Sequence, residues 1–282
     1  MGHVLVVGGG PASDTLPAHL APLQSGAVAW RVAAPRVGGF PFTPLDALMT
    51  EVGLVDLVLR EASADTRAVL VDTFGEYGIA AMRCAVDMPV VGAAASAIAA
   101  ARRHGAAFGI VTVWPASLDW LYQRQLRALD AVAACVGIRY VGGRHADPTT
   151  PSATLGAMHA GDPVWLARIL AGIAELADAG ADCVIFGCTC MAPVHGRVAA
   201  RSPIPVICAA QAGVAAVKAL LDSERPVVAA EPAAPSASAP SRQRFANWVA
   251  GATESRTTEI AVGDDDGQAC PVCVLAPDPD SN

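Results

Sequence analysis

Residues 180–193 read GADCVIFGCTCMAP, in which two cysteines straddle a threonine where an apolar run gives way to a loop. A buried free cysteine is ordinarily a small hydrophobe, and Cys183, inside the run, fits that role. Cys188 differs: it follows Gly187 at the carboxyl end of a strand, the end at which open α/β sheets present reactive groups. A thiol there, its pKa lowered from about 8.5 by backbone dipoles, can take up and return a proton near neutral pH. A second strand-end segment, VDTFGEYG at 71–78, carries Thr73 between Asp72 and Phe74, followed by Gly75 and Glu76. Other residues have less demanding roles. Cys84 reads as a structural residue in a helix, and His195 as a surface or cap residue. Cys190 either backs the loop or packs beneath it, and Trp114 and Tyr122 either line a cleft or pack helices.

The elements that must position these groups alternate as strand and helix. Candidate strands are 3–8, 67–72, 107–113, 182–187 and 204–207, with Ala-rich helical stretches at 92–103, 116–134, 163–179 and 209–222. Short apolar strands between helices predict parallel sheets covered on both faces, an α/β fold. PVVGAAASAIAA (89–100) and PVICAAQAGVAA (205–216) agree at six of twelve positions, offset by 116 residues. Each copy follows a strand that ends in a small-residue turn. The reading is therefore two related three-layer α/β lobes around a central cleft, each sending one strand-end loop into it. Residues 1–95 with 208–222 form the first lobe and 96–207 the second. Such a cleft is a small-molecule site. From 223 to 282 the chain turns rich in Pro, Ala and Ser, then in Asp, and predicts a disordered tail, although Phe245 and Trp248 are able to dock.

Bulk properties exclude several functions. The net charge of −7, without a basic stripe, argues against nucleic acid. No stretch approaches the roughly 20 apolar residues of a membrane span, and MGHVLVVGGG lacks the basic region of a secretory leader. Eight cysteines, several inside apolar runs, predict reduced thiols in a cytoplasm rather than a disulfide framework. No metal is expected: Cys188, Cys190 and His195 lack the spacings of a zinc site, and Cys270-x-x-Cys273 has no partner pair. In VVGGGPAS, Gly8 and Gly10 take two positions of a dinucleotide fingerprint, but Ser13 takes the third and no acidic residue follows about 20 residues on. No cofactor is expected. The loop around Gly9 instead offers backbone N–H groups to an anionic substrate group.

GCTCMAP (187–193) resembles the second cysteine motif of the aspartate/glutamate/hydantoin racemase superfamily, with Cys188, Thr189 and Pro193 matching. VDTFGEYGI (71–79) is similar to the first motif of its hydantoin racemase branch, with Thr73 standing where that motif has cysteine. VTVWPASLDWL (111–121) and PVICAAQAGVAAVKAL are similar to other segments of that branch, and the resemblance covers about residues 3–222. It implies cofactor-independent racemisation or epimerisation at an acidic carbon next to a carbonyl, in an amino acid or a hydantoin-like substrate. Cys188 and Thr73 would be the catalytic pair, and Gly9, Phe74, Gly75, Thr112 and Thr189 the substrate contacts. An arylmalonate-type decarboxylase using one cysteine is the alternative, and a non-catalytic binding protein a further one. The expected partner is a small molecule; self-association into a homo-oligomer is left open.

Overall fold

The computed structural model describes residues 2–8, 13, 16–17, 20–21, 28–143, 151–223 and 236–254. Among these described residues, eight strands form two parallel four-stranded sheets. The first holds β1 (His3–Val7), β2 (Ala29–Ala33), β3 (Thr66–Val71) and β4 (Val90–Gly92) in the order β2-β1-β3-β4. The second holds β5 (Phe108–Thr112), β6 (Cys135–Tyr140), β7 (Cys183–Phe186) and β8 (Val206–Ile207) in the order β6-β5-β7-β8. The two orders are the same once the count restarts at β5, so the internal repeat is a repeat of topology. The central strands β1, β3, β5 and β7 are almost entirely buried, as parallel strands covered on both faces must be.

The repeated segments 89–100 and 205–216 each supply an edge strand and the helix after it: β4 with α3 (Ala93–Ala101), and β8 with α8 (Ala209–Asp222). These helices pack on each other and on the opposite sheets. Ala94, Ala97 and Ile98 of α3 join the core of Phe108, Ile110 and Ile185, while Ala210, Val214 and Val217 of α8 join Val4, Val6 and Leu70. Small residues permit the close approach. A Cβ on Gly213 would lie 2.9 Å from Leu70 Cδ1 and 3.5 Å from the Ala93 Cα.

The longest helix, α1 (Pro44–Glu61), starts on a capping box: the Thr43 hydroxyl accepts the Asp46 N–H, and the Asp46 carboxylate accepts the Thr43 N–H. Proline at its first position needs no hydrogen-bond partner. The segment before it, 34–43, is bound down along α1. Arg36 donates twice, at 2.9 Å each, to the buried Asp56, and the Val37 carbonyl lies where a Cβ on Gly53 would fall, 1.8 Å away.

Part of the stretch expected to lack structure is helical. In α9 (Ala239–Glu254), Val249 is buried and Phe245 packs against the core beneath α1. The Ala237 N–H donates to the Cys84 carbonyl at 2.6 Å, which ties the start of this segment to the end of α2 (Ile79–Ala85). One buried and one partly buried apolar residue, Val249 and Phe245, hold it there, and composition averaged over the tail conceals them. No helix among the described residues is long and apolar enough to cross a membrane.

Candidate functional site

Two loops at the carboxyl ends of β3 and β7 meet over one cavity. Thr73, Phe74 and Gly75 reach it from the first loop, and Gly187, Cys188 and Thr189 from the second. The Thr189 hydroxyl donates to the Asp72 carbonyl at 3.0 Å, so the loops are hydrogen-bonded to each other across the two sheets. Gly8, at the end of β1, completes this wall. Its φ of +84° is a conformation that suits glycine, and a Cβ there would lie 2.5 Å from the Thr73 methyl.

Cys188 is 8% exposed and caps a short 3-10 turn, Thr189–Val194, in which its Sγ accepts the Cys190 N–H at 3.2 Å. The cysteines do not all stand as reduced thiols: Cys188 is bonded to Cys190 in a disulfide. The turn brings their Cα atoms to 5.1 Å, inside the span a disulfide bridges. Cys84, Cys135, Cys183 and Cys208 are free. Burial pushes the Cys183 thiol up to about 11 and that of Cys208 to about 12, the range of inert packing thiols.

A relay of hydroxyls fixes Gly187 beside Cys188. The Trp114 N–H donates to Thr112 Oγ1 at 3.3 Å, Thr112 shares a 2.6 Å hydrogen bond with the Tyr122 hydroxyl, and Tyr122 donates to the Gly187 carbonyl at 3.0 Å. Thr112 therefore stands behind the cavity rather than on it. It is fully buried and bonded to a lining residue. Glycine is required at 187, because a Cβ would lie 2.8 Å from Ile110 and 2.9 Å from the Tyr122 ring. His159, on α5 (Pro151–Ala160), pairs with the Cys190 carbonyl at 2.7 Å and holds the far side of the turn.

Neither carboxylate of the first loop bonds the Thr73 hydroxyl, whose oxygen is buried without a hydrogen-bond partner. Glu76, at φ +45°, turns away. Its carboxylate accepts the Ala95 N–H at 2.6 Å at the start of α3, and the Gln125 side chain at 2.9 Å from α4 (Asp119–Ala128). Burial raises the Glu76 pKa, and these hydrogen bonds with the charge of Arg83 oppose the rise. Asp72 is buried with Oδ1 unpaired, and desolvation raises its pKa to about 7. His195 pairs with the Val206 carbonyl at 3.0 Å and stands edge-on to Phe186, away from the cavity. Gly9 lies outside the described residues.

The remaining walls are apolar and aromatic. Trp114 and Tyr122 both line the cavity. Sequence reasoning misses the segment Pro35 to Pro41, which closes one side through Gly38, Gly39 and Phe40. GGFPF at 38–42, two glycines followed by an aromatic–proline alternation, was the available signal. Phe40 packs on Trp114 with ring centroids 4.6 Å apart, and Phe74 packs on Tyr122 at 5.6 Å. Tyr77 also lines the cavity, under the guanidinium of Arg124 at 5.5 Å. None of the described lining residues carries a formal charge, and no group of three His, Cys, Asp or Glu among the described residues is placed to hold a metal ion. The arrangement thus offers a sulfur with a backbone donor, Thr73 in the opposite loop and an aromatic enclosure. Among the described lining residues there is no cation to neutralise a carboxylate.

Comparison with known proteins places this geometry. The fold is similar to allantoin racemase from Klebsiella pneumoniae, with a TM-score of 0.66 at 19% identity over 78% of this chain and 88% of that one. It is similar also to allantoin racemase from Pseudomonas fluorescens, with a TM-score of 0.65 at 17% identity over 84% and 98%. A double mutant of arylmalonate decarboxylase in its liganded form matches at a TM-score of 0.57 and 17% identity, over 80% and 96%. At these identities the likeness shows the fold. No curated protein matches significantly. The family model for Asp/Glu/Hydantoin racemase matches residues 24–227, which take in both loops and both sheets except β1. With most of its length so matched, the chain belongs to the Asp/Glu/hydantoin racemase family of isomerases.

Proposed function

We propose that the protein is a cofactor-independent racemase or epimerase that moves a proton at an acidic carbon next to a carbonyl, through Cys188 in its reduced form. One observation carries the reading: Thr73 and Cys188, from equivalent loops of the two halves, line the same cavity. The Cys188 thiolate, held by the Cys190 N–H, takes the proton from one face of the carbon. The Thr73 hydroxyl serves the opposite face, and backbone N–H groups of the loops stabilise the enolate oxygen. An uncharged, aromatic enclosure supports a hydantoin-like substrate over an amino acid, whose free carboxylate calls for a cation.

A second reading has its own support. Because no base contacts the Thr73 hydroxyl, only one of the two groups is equipped to carry a proton. Loss of carbon dioxide followed by protonation from Cys188 alone needs no second base.

One experiment separates the two. Reduced protein is incubated in deuterated water with 5-substituted hydantoins, amino acids and arylmalonates. α-Proton exchange with loss of optical activity is expected for the hydantoins; carbon dioxide release from the malonates would identify the second reading. Cys188→Ser is expected to lower turnover on the order of a thousandfold, and wild-type rates in that variant would end both. Thr73→Cys is expected to speed racemisation by supplying a second thiol.

A further inference from the structure

We infer that Cys188 and Cys190 form a reversible oxidation site inside the cavity. Its co-reactants are a hydroperoxide in one direction and a small thiol in the other, with Cys190 the resolving cysteine that closes the bond. The inference rests on the proposed role of Cys188.

A disulfide that spans one intervening residue constrains almost none of the unfolded chain, so on the loop-entropy account it adds least to stability. Nor does it join two elements, since both sulfurs belong to the same turn. Its position is what distinguishes it. Cys188 lines the cavity and is 8% exposed; Cys190 is fully buried and does not line it. A reagent entering by the cavity therefore meets the Cys188 sulfur first. The bond consumes the sulfur expected to transfer protons, and the oxidised chain presents no thiolate to a substrate.

The chemistry balances without a further reagent. In oxidation, the Cys188 thiolate attacks the O–O bond of a hydroperoxide. The distal oxygen transfers to sulfur as the O–O bond breaks, giving a sulfenic acid, and the other oxygen takes a proton and leaves as an alcohol, or as water from hydrogen peroxide. The Cys190 thiol then displaces that oxygen as water, forming the S–S bond. In reduction, an incoming thiolate attacks Cys188 Sγ, the S–S bond breaks, and Cys190 leaves and takes a proton. A second thiolate attacks the incoming sulfur of the mixed disulfide, which frees Cys188 as a thiolate and departs as the external disulfide. Access through a cavity walled by Phe40, Phe74, Trp114 and Tyr122 favours a small dithiol over a protein thiol.

Three measurements test this. Reduced full-length protein treated with hydrogen peroxide is expected to lose both alkylation of Cys188 by iodoacetamide and α-proton exchange activity, and dithiothreitol restores both. Cys190→Ser, which leaves the cavity lining and the backbone N–H in place, is expected to be active without reductant. Peroxide then inactivates it in a way that dithiothreitol reverses only in part; Cys190→Ala, the variant to use if the serine perturbs folding, is expected to match it. Dithiothreitol is expected to reduce the wild-type bond at least tenfold faster than thioredoxin at equal thiol concentration. A reductant requirement that persists in both variants would overturn the inference, as would equal rates for the two reductants. Failure of the function reading looks different: reduced protein turns over none of the substrates, yet Cys188 alkylation still switches with peroxide and dithiothreitol.

Discussion

Asp72 holds an ionisable group where nothing offsets its charge: 3% exposed, one oxygen unpaired, and pushed from 3.8 to about 7 by desolvation. The consequence for stability has a definite sign. Below about pH 4 folded and unfolded chains both keep the proton; between there and about pH 7 the unfolded carboxyl ionises while the folded one does not. The unfolded state then binds fewer protons, so stability falls as pH rises through that window. Asp72→Asn removes the titration. Denaturant unfolding at a fixed redox state is expected to show the variant gaining on wild type between pH 4.5 and pH 8, by on the order of a few kcal/mol. Parallel pH profiles would show that the Asp72 carboxyl is solvated. Residue-level legibility stops at such points. Position after a strand and a glycine suffices to place Cys188 in the strand-end loop that lines the cavity. That Thr112 faces Tyr122 depends on a helix ten residues away, and that Cys190 bonds Cys188 depends on how tightly one turn coils.

At the scale of elements, the second loop is held by a helix that contributes no reacting group. Tyr122, on α4, connects Thr112 of β5 to the carbonyl preceding Cys188. Tyr122→Phe keeps the ring against Phe74 and leaves the Gly187 carbonyl without this donor. It is expected to destabilise the protein by about 1–3 kcal/mol. It is also expected to lower kcat on the order of tenfold, with a smaller change in KM, because Cys188 loses its fixed placement. An unchanged kcat would mean the β7 loop is fixed without Tyr122, by the Thr189–Asp72 and His159–Cys190 hydrogen bonds. The same scale shows why some elements escape the sequence pattern. β1, β3, β5 and β7 are read as continuous apolar runs because both faces are covered. The strands left unmarked, β2, β4 and β6, all lie at sheet edges. There Arg31 and Arg139 stand in the strand, or the strand is only three residues long. Helix α1 did carry its signal, Thr43-Pro44 with Asp46, a capping box read only if one looks for helix starts rather than apolar periods.

At the scale of the whole molecule, the twelve-residue repeat was the most informative feature, because it marks the two helices that cross to the opposite sheets and keep the two loops facing. Composition is weakest at the other end of the chain. A tail averaged over sixty residues hides a sixteen-residue helix with two apolar anchors. Helix α9 reaches the site indirectly. Val249 and Trp248 share a groove with Leu48, Met49 and Val52 of α1 and with Val37, and Val37 belongs to the segment whose neighbours Gly38, Gly39 and Phe40 wall the cavity. Val249→Asp sets a carboxylate at a position 1% exposed, which α9 can accommodate only by leaving. Limited proteolysis is expected to remove the chain beyond residue 223 while the two sheets stay intact. Loss of the Phe245 and Val249 contacts is expected to lower stability by about 2–4 kcal/mol. With Val37 uncovered, the Gly38–Phe40 wall loosens and KM rises, whereas kcat, set by the loops after β3 and β7, holds. A protease-resistant α9 in this variant, or a kcat that falls with KM unchanged, would separate the helix from the cavity wall.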